Sequence, residues 1–150
     1  MADFHVAQIN IARARADMES DIMRGFVERL DEINALAEQS PGFVWRLQDD
    51  SGNATEIQVF DDPLLIVNMS VWADVDSLKH FVYRSNHVDL LRDRDAWFEK
   101  TAEAHQALWW VPAGKLPTVE EGVERLQHLQ QQGPSERAFT FARPQPKPLR

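Results

Sequence analysis

Residues 64–73, Leu-Leu-Ile-Val-Asn-Met-Ser-Val-Trp-Ala, constrain the fold more than any other stretch of the chain. The run is bounded by Asp61-Asp62-Pro63 on one side and Asp74 on the other, and reads as a central β-strand. Side chains alternate between the two faces of a strand. Leu65, Val67, Met69 and Val71 then share one wholly apolar face. Leu64, Ile66, Asn68, Ser70 and Trp72 share the other, which carries two polar groups and an indole. Such a strand needs cover on both sides.

The rest of the chain supplies candidates for that cover. Residues 4–11 alternate as well, with Phe4, Val6, Gln8 and Asn10 opposed to His5, Ala7, Ile9 and Ile11. From Asp17 the period lengthens. Met18, Ile22, Phe26, Leu30, Ile33 and Leu36 or Ala37 step by three or four, which predicts an amphipathic helix with Asp17 as N-cap and Ser40-Pro41-Gly42 as its end. Phe43–Leu47 reads as a second strand, residues 49–53 as a turn and Glu56–Phe60 as a short extended piece. Asp74 caps a helix built on Val75, Leu78, Phe81 and Val82. Ser85-Asn86 breaks it, and helix resumes from His87 to about Lys100.

Ala104–Val111 is a further strand, closed by Pro112-Ala113-Gly114. Thr118 and Glu121 have the spacing of a capping box before the stripe Val119, Val123, Leu126 and Leu129 or Gln130. Gly133-Pro134 stops that helix, Ala138–Ala142 reads as a short strand, and the Pro-rich tail is expected to be extended or disordered.

The order is β-α-β-β-α-β followed by α-β, an α+β fold with a ferredoxin-like core. Two crossover helices on one face leave the other face open. The alternation suggests that Phe4, Val6, Leu64, Ile66 and Trp72 lie on the open side, which is too apolar to face water. A second copy of the chain is the simplest cover, giving a homodimer that closes a dimeric α/β barrel. Residues 1–142 would form that one domain and residues 143–150 its tail.

Composition narrows the function. The 150 residues are 43% hydrophobic and 27% charged, the balance of one globular domain. The absence of cysteine excludes disulfides, thiolate metal sites and thiol catalysis. A net charge of −8 with no Lys/Arg run argues against a nucleic-acid partner. No apolar stretch reaches the ~18 residues of a membrane span, and the opening residues MADFHVAQIN do not resemble a signal peptide. A cytoplasmic protein without membrane contact is therefore expected. The five histidines, at positions 5, 80, 87, 105 and 128, have none of the usual metal-ligand spacings. No glycine-rich phosphate loop or serine nucleophile elbow is present. Neither a metal nor another cofactor is expected.

The segments Tyr83-Arg84-Ser85-x-His87, Arg92-x-Arg94-x-x-Trp97-Phe98, Trp109-Trp110-Val111-Pro112-Ala113-Gly114 and Ala138-Phe139-Thr140-Phe141 carry a resemblance. Together they resemble a bacterial family of uncharacterised proteins, a domain of unknown function in the dimeric α/β-barrel superfamily, over about residues 3–142. That superfamily also holds antibiotic-biosynthesis-monooxygenase-like proteins, haem-degrading monooxygenases, muconolactone isomerases and polyketide cyclases. The resemblance implies a fold and a dimer, and no activity. It is weakest toward the haem-degrading branch. Asn10 matches the first-strand Asn of those enzymes, but Phe81 stands where their Trp falls and Leu91 or Arg92 where their His falls.

Two clusters carry candidate chemistry. On a continuous helix His80, Arg84 and His87 would share a face, with Arg94 following. An imidazole can change charge near neutral pH, which suits His87 to a general acid or base. Arg84 or Arg94 suits an anionic substrate group. The structural alternative is that His87 caps a helical segment and the arginines pair with Asp89, Asp93 and Asp95.

The second cluster is Gln8, Asn10, Asn68, Ser70 and Trp72, which Arg46 could join, with Trp97 and Trp110 as further ring contacts and Tyr83 as a donor to a substrate oxygen. The alternative there is an ordinary dimer interface. The leading expectation is a small-molecule enzyme, a cofactor-free monooxygenase, isomerase or cyclase for a flat apolar, quinone-like or polyketide-like compound. The rival is a non-catalytic binding protein or sensor for a hydrophobic metabolite.

Overall fold

The computed structural model describes residues 3–17, 19–47, 64–84, 97–98 and 105–148. The described elements are β1 (Phe4–Arg13), α1 (Arg24–Gln39), β2 (Phe43–Arg46), β3 (Leu65–Trp72), α2 (Val75–Arg84), β4 (Gln106–Pro112) and α3 (Val119–Gln132). The strands form one sheet in the order β2-β3-β1-β4, with every neighbouring pair antiparallel. This is the ferredoxin-like order. α1 leads across β3 and the segment containing α2 leads across β1, so each crossover joins strands that are not neighbours. The fold is α+β, a ferredoxin-like core with an added C-terminal helix.

The sheet separates two cores. Odd-numbered residues of β1, β3 and β4, among them Ala7, Ile9, Val67, Met69, Val71 and Trp109, pack with Leu126 and Leu129 of α3. Even-numbered residues Val6, Trp72 and Leu108 pack with Ala37 of α1, Leu78 and Phe81 of α2, and Phe139. A third cluster holds Ala14, Met23, Phe26, Trp97 and Phe98, with Ala12 and Ile66 against it.

This corrects the expected orientation of the sheet. The alternation puts Phe4, Val6, Leu64, Ile66 and Trp72 on the open side. Val6 and Trp72 instead lie under α1 and α2, and Ile66 lies beside the third cluster. Alternation identifies residues that share a face, but not the side to which the helices cross. The opposite face is the wholly apolar one, and the chain covers it with its own α3.

Local signals held unevenly. Asp74 caps α2 by accepting from the Ser77 backbone N–H at 2.7 Å. Thr118 caps α3 by accepting from the Glu121 N–H at 3.1 Å, and Gly133 ends that helix with a left-handed φ of 79°. Asp17, however, caps no helix. Its carbonyl accepts from both the N–H and the hydroxyl of Ser20, closing a separate turn, and α1 starts only at Arg24. Ile22 precedes the helix and is 54% exposed instead of joining the apolar stripe. Of the helix expected from His87 to about Lys100 only Trp97 and Phe98 lie among the described residues, and Phe98 bridges to Ala14 just beyond β1. The expected strand over residues 138–142 is one bridge, Phe139 to Leu108. The expected turn at 49–53 and the piece at 56–60 lie outside the described residues.

Candidate functional site

Register places the even-numbered side chains of β1, β3 and β4, joined on β2 by Phe43 and Arg46, in rows across the side of the sheet that α1 and α2 cover. One row is Trp110, Val6, Trp72 and Phe43; the next is Leu108, Gln8, Ser70 and Arg46; the next is Gln106, Asn10 and Asn68. Cross-strand neighbours on one face have Cβ atoms about 4.5–5.5 Å apart. The last two rows, Leu108 apart, therefore make a polar belt. It lies between the Trp72–Phe81 cluster on one side and the Met23–Phe98 cluster on the other.

Hydrogen bonds bind the belt together. Trp72 Nε1 donates to Ser70 Oγ at 2.9 Å. Gln8 Nε2 donates to the same oxygen at 2.9 Å and to Asn68 Oδ1 at 2.7 Å. Gln8 is 4% exposed and Ser70 8%, whereas Asn68 is exposed. The network thus runs outward from a buried indole to a surface amide. Buried polar groups of this kind cost free energy unless paired, and here each supports the next. Arg46 lies opposite Ser70 on β2, with Nη2 3.6 Å from a carboxylate oxygen of Glu38 in the last turn of α1.

Of the residues expected to bind substrate, Asn10, Asn68, Ser70 and Trp72 come together. Trp72 enters through its N–H and not a ring face. Its ring stacks on Phe81 at 5.2 Å between centroids and takes Phe43 edge-on at 5.4 Å. Trp97 and Trp110 stand apart from each other. Trp97 is buried against Phe26, with the Arg29 guanidinium over its ring. Trp110 is half-buried beside Phe139, and its Nε1 donates to the Gln145 carbonyl at 3.1 Å. Tyr83 and Arg84 close α2. His87 and Arg94 lie outside the described residues, and His80 is exposed.

Gln106 was missed, although its alternation with Ala107 and Leu108 could have placed it on the belt's face. The adjacent tryptophans of β4 do point to opposite sides. Trp109 is buried on the α3 side, where its Nε1 donates to Glu121 Oε2 at 3.0 Å. A separate pocket of about 130 Å³ lies at the β4–α3 turn, lined in part by Trp110, Pro112, Lys115, Leu116, Glu121 and Arg125. Among the described residues no group of three or more His, Asp or Glu is placed to hold a metal ion. No described helix is long and apolar enough to cross a membrane.

The family model described as Domain of unknown function (DUF3291) matches residues 5–150. No curated protein matches the chain at a significant level. Among solved structures, a variant of SnoaB, a cofactor-independent oxygenase from Streptomyces nogalater, is similar with a TM-score of 0.50 and 14% identity, over 75% of this chain and 95% of its own. A protein of unknown function from Nitrosomonas europaea has a TM-score of 0.48 and 14% identity, over 77% of this chain and 96% of its own. A dabb-family protein with a ferredoxin-like fold from Mesorhizobium loti has a TM-score of 0.43 and 13% identity, over 75% of this chain and 99% of its own. The SnoaB likeness supports the fold.

Proposed function

The chain belongs to the DUF3291 family, a domain of unknown function, and on that premise we propose that it is a small-molecule enzyme whose flat apolar or aromatic substrate lies over the polar belt. One observation carries the reading. Gln8 and Ser70, hydrogen-bonded and buried, sit between two aromatic clusters and lead out to exposed Asn68. An apolar surround with a few fixed polar groups is the usual construction of a small-molecule site. The fold is shared with a cofactor-independent oxygenase, which is compatible with the reading but assigns no chemistry by itself.

In this proposal the reaction is oxygenation, isomerisation or cyclisation of a quinone-like or polyketide-like ring without a resident cofactor. His87 moves the proton and Arg84 or Arg94 holds a carbonyl or carboxylate. Asn10, Asn68 and Ser70 orient the ring, Tyr83 donates to a substrate oxygen, and Trp97 and Trp110 border the site on its two flanks. The proposal includes a homodimer in the cytoplasm. Because α3 covers the odd-numbered face, the second copy is assigned to another surface. The short edge strand β2, with Val44 exposed, favours that arrangement.

A binding protein or sensor for a hydrophobic metabolite is the second reading. It is favoured by the belt's composition, since Gln8, Asn10, Asn68, Ser70 and Gln106 include no group that titrates near neutrality. Native mass spectrometry of protein purified gently from its own host tests both. A mass near twice 17.3 kDa carrying a releasable compound is expected. If the wild type converts that compound, His87→Ala should lower turnover by ~10²-fold. Retention without conversion would select the sensor. Capture of no compound, together with no binding of 1,4-naphthoquinone, would overturn the site.

A further inference from the structure

We infer that Ser70 is a one-way hydrogen-bond donor, and that it makes the belt select ligands presenting an oxygen acceptor: a carbonyl, enolate or phenolate. The inference rests on the reading of the belt as a ligand site and deepens it.

The direction of Ser70 follows from its hydrogen-bonding capacity. A serine hydroxyl has one proton and two acceptor lone pairs. The indole N–H of Trp72 can only donate, and it occupies one lone pair of Ser70. Gln8 Nε2 occupies the other, and the second proton of that amide is committed to Asn68 Oδ1. Ser70 therefore has nothing left but its proton. Among the described residues that proton meets no acceptor. The indole fills one lone pair of Ser70, and the Gln8 amide, with Nε2 toward both Ser70 Oγ and Asn68 Oδ1, fills the other. A ligand carbonyl placed over Ser70 completes the serine's bonding. A ligand arylamine in the same place meets a hydroxyl that cannot accept its N–H, and offers that hydroxyl only a weak, ring-delocalised lone pair. Unpaired polar groups in a desolvated site are what give polar recognition its discrimination.

Two compounds of one shape test this. The 1,4-naphthoquinone ring offers acceptors at two positions, and 1,4-diaminonaphthalene offers N–H donors at the same positions. Their dissociation constants would be measured by equilibrium dialysis under nitrogen, with the full chain. Wild-type protein should prefer the quinone by about tenfold or more. Ser70→Ala should erase the preference. Gln8→Met, which keeps side-chain length and returns one lone pair to Ser70, should narrow it by admitting the diamine. This second variant keeps the test in force if Ser70→Ala fails to fold. Equal binding of the two compounds by wild type, or a preference unchanged in both variants, would overturn the donor assignment and leave the site standing. Failure of wild type to bind either compound would remove the site itself, and the inference with it.

Discussion

Gly122 of α3 lies directly over Met69 of β3. A Cβ built on Gly122 would stand 3.0 Å from the Met69 sulfur and 3.0 Å from Ile9 Cδ1. The missing side chain is what lets a helix settle at the centre of the odd-numbered face. By helix propensity alone, Gly122→Ala should stabilise by about 1 kcal/mol. Overpacking of a close-fitted core costs about 1–3 kcal/mol. The second effect should win, and the melting temperature should fall by several degrees. A rise in melting temperature would show that the helix backs away from the sheet freely.

The bond from the Trp109 indole to Glu121 ties the same helix to β4. Glu121→Gln preserves an acceptor and should change stability little. Glu121→Ala leaves a buried indole N–H unpaired and should cost about 1–3 kcal/mol in urea unfolding. Equal effects of the two variants would mean that this bond contributes little.

Gly42 has a φ of +83°, and a Cβ there would meet Ser77 Oγ at 2.3 Å. Two separable penalties follow for Gly42→Ala: steric overlap with α2, and about 1–2 kcal/mol for a left-handed residue. Adding Ser77→Gly should recover the first and not the second. Full recovery in the double variant would remove backbone strain from the account.

Asp3 is the acidic anchor of the tail. Its carboxylate accepts from the Phe4 backbone N–H at 2.8 Å and pairs with Lys147 at 3.1 Å. Both contacts favour the charged form, the backbone bond most, so its pKa lies below the ordinary 3.8. A depressed folded pKa means the contribution is complete above the unfolded value. It is lost as pH falls from there through the folded value. The Trp110 indole N–H, held by Gln145, should therefore shift in NMR spectra within that acid window. Asp3→Asn should abolish the shift. A Trp110 signal indifferent to pH below 3.8 would refute the coupling.

The strand pattern was legible because alternation is local. Asn68, Ser70 and Trp72 share a face by spacing alone, and Gln8 and Asn10 match them on β1. The side of the sheet was not legible. Both faces carry large apolar residues, and α3, which decides the matter, comes ~50 residues after β3. The start of α1 was obscured by competition, since Ser20 bonds the Asp17 carbonyl as readily as Asp17 would cap a helix. The belt's membership could be read, but its connections could not. That Trp72 and Gln8 converge on one oxygen depends on rotamers and register, which no periodicity reveals.

The Lys147–Asp3 ion pair joins residues 144 positions apart. With that pair closed, the polypeptide path runs as a near-ring, and the ends of the described chain are neighbours. A short peptide linker across this gap would allow new ends to be cut elsewhere, for example in the exposed turn at Pro112–Lys115. Such a circular permutant would keep both cores and the belt. It would also change which part of the sheet emerges first during synthesis.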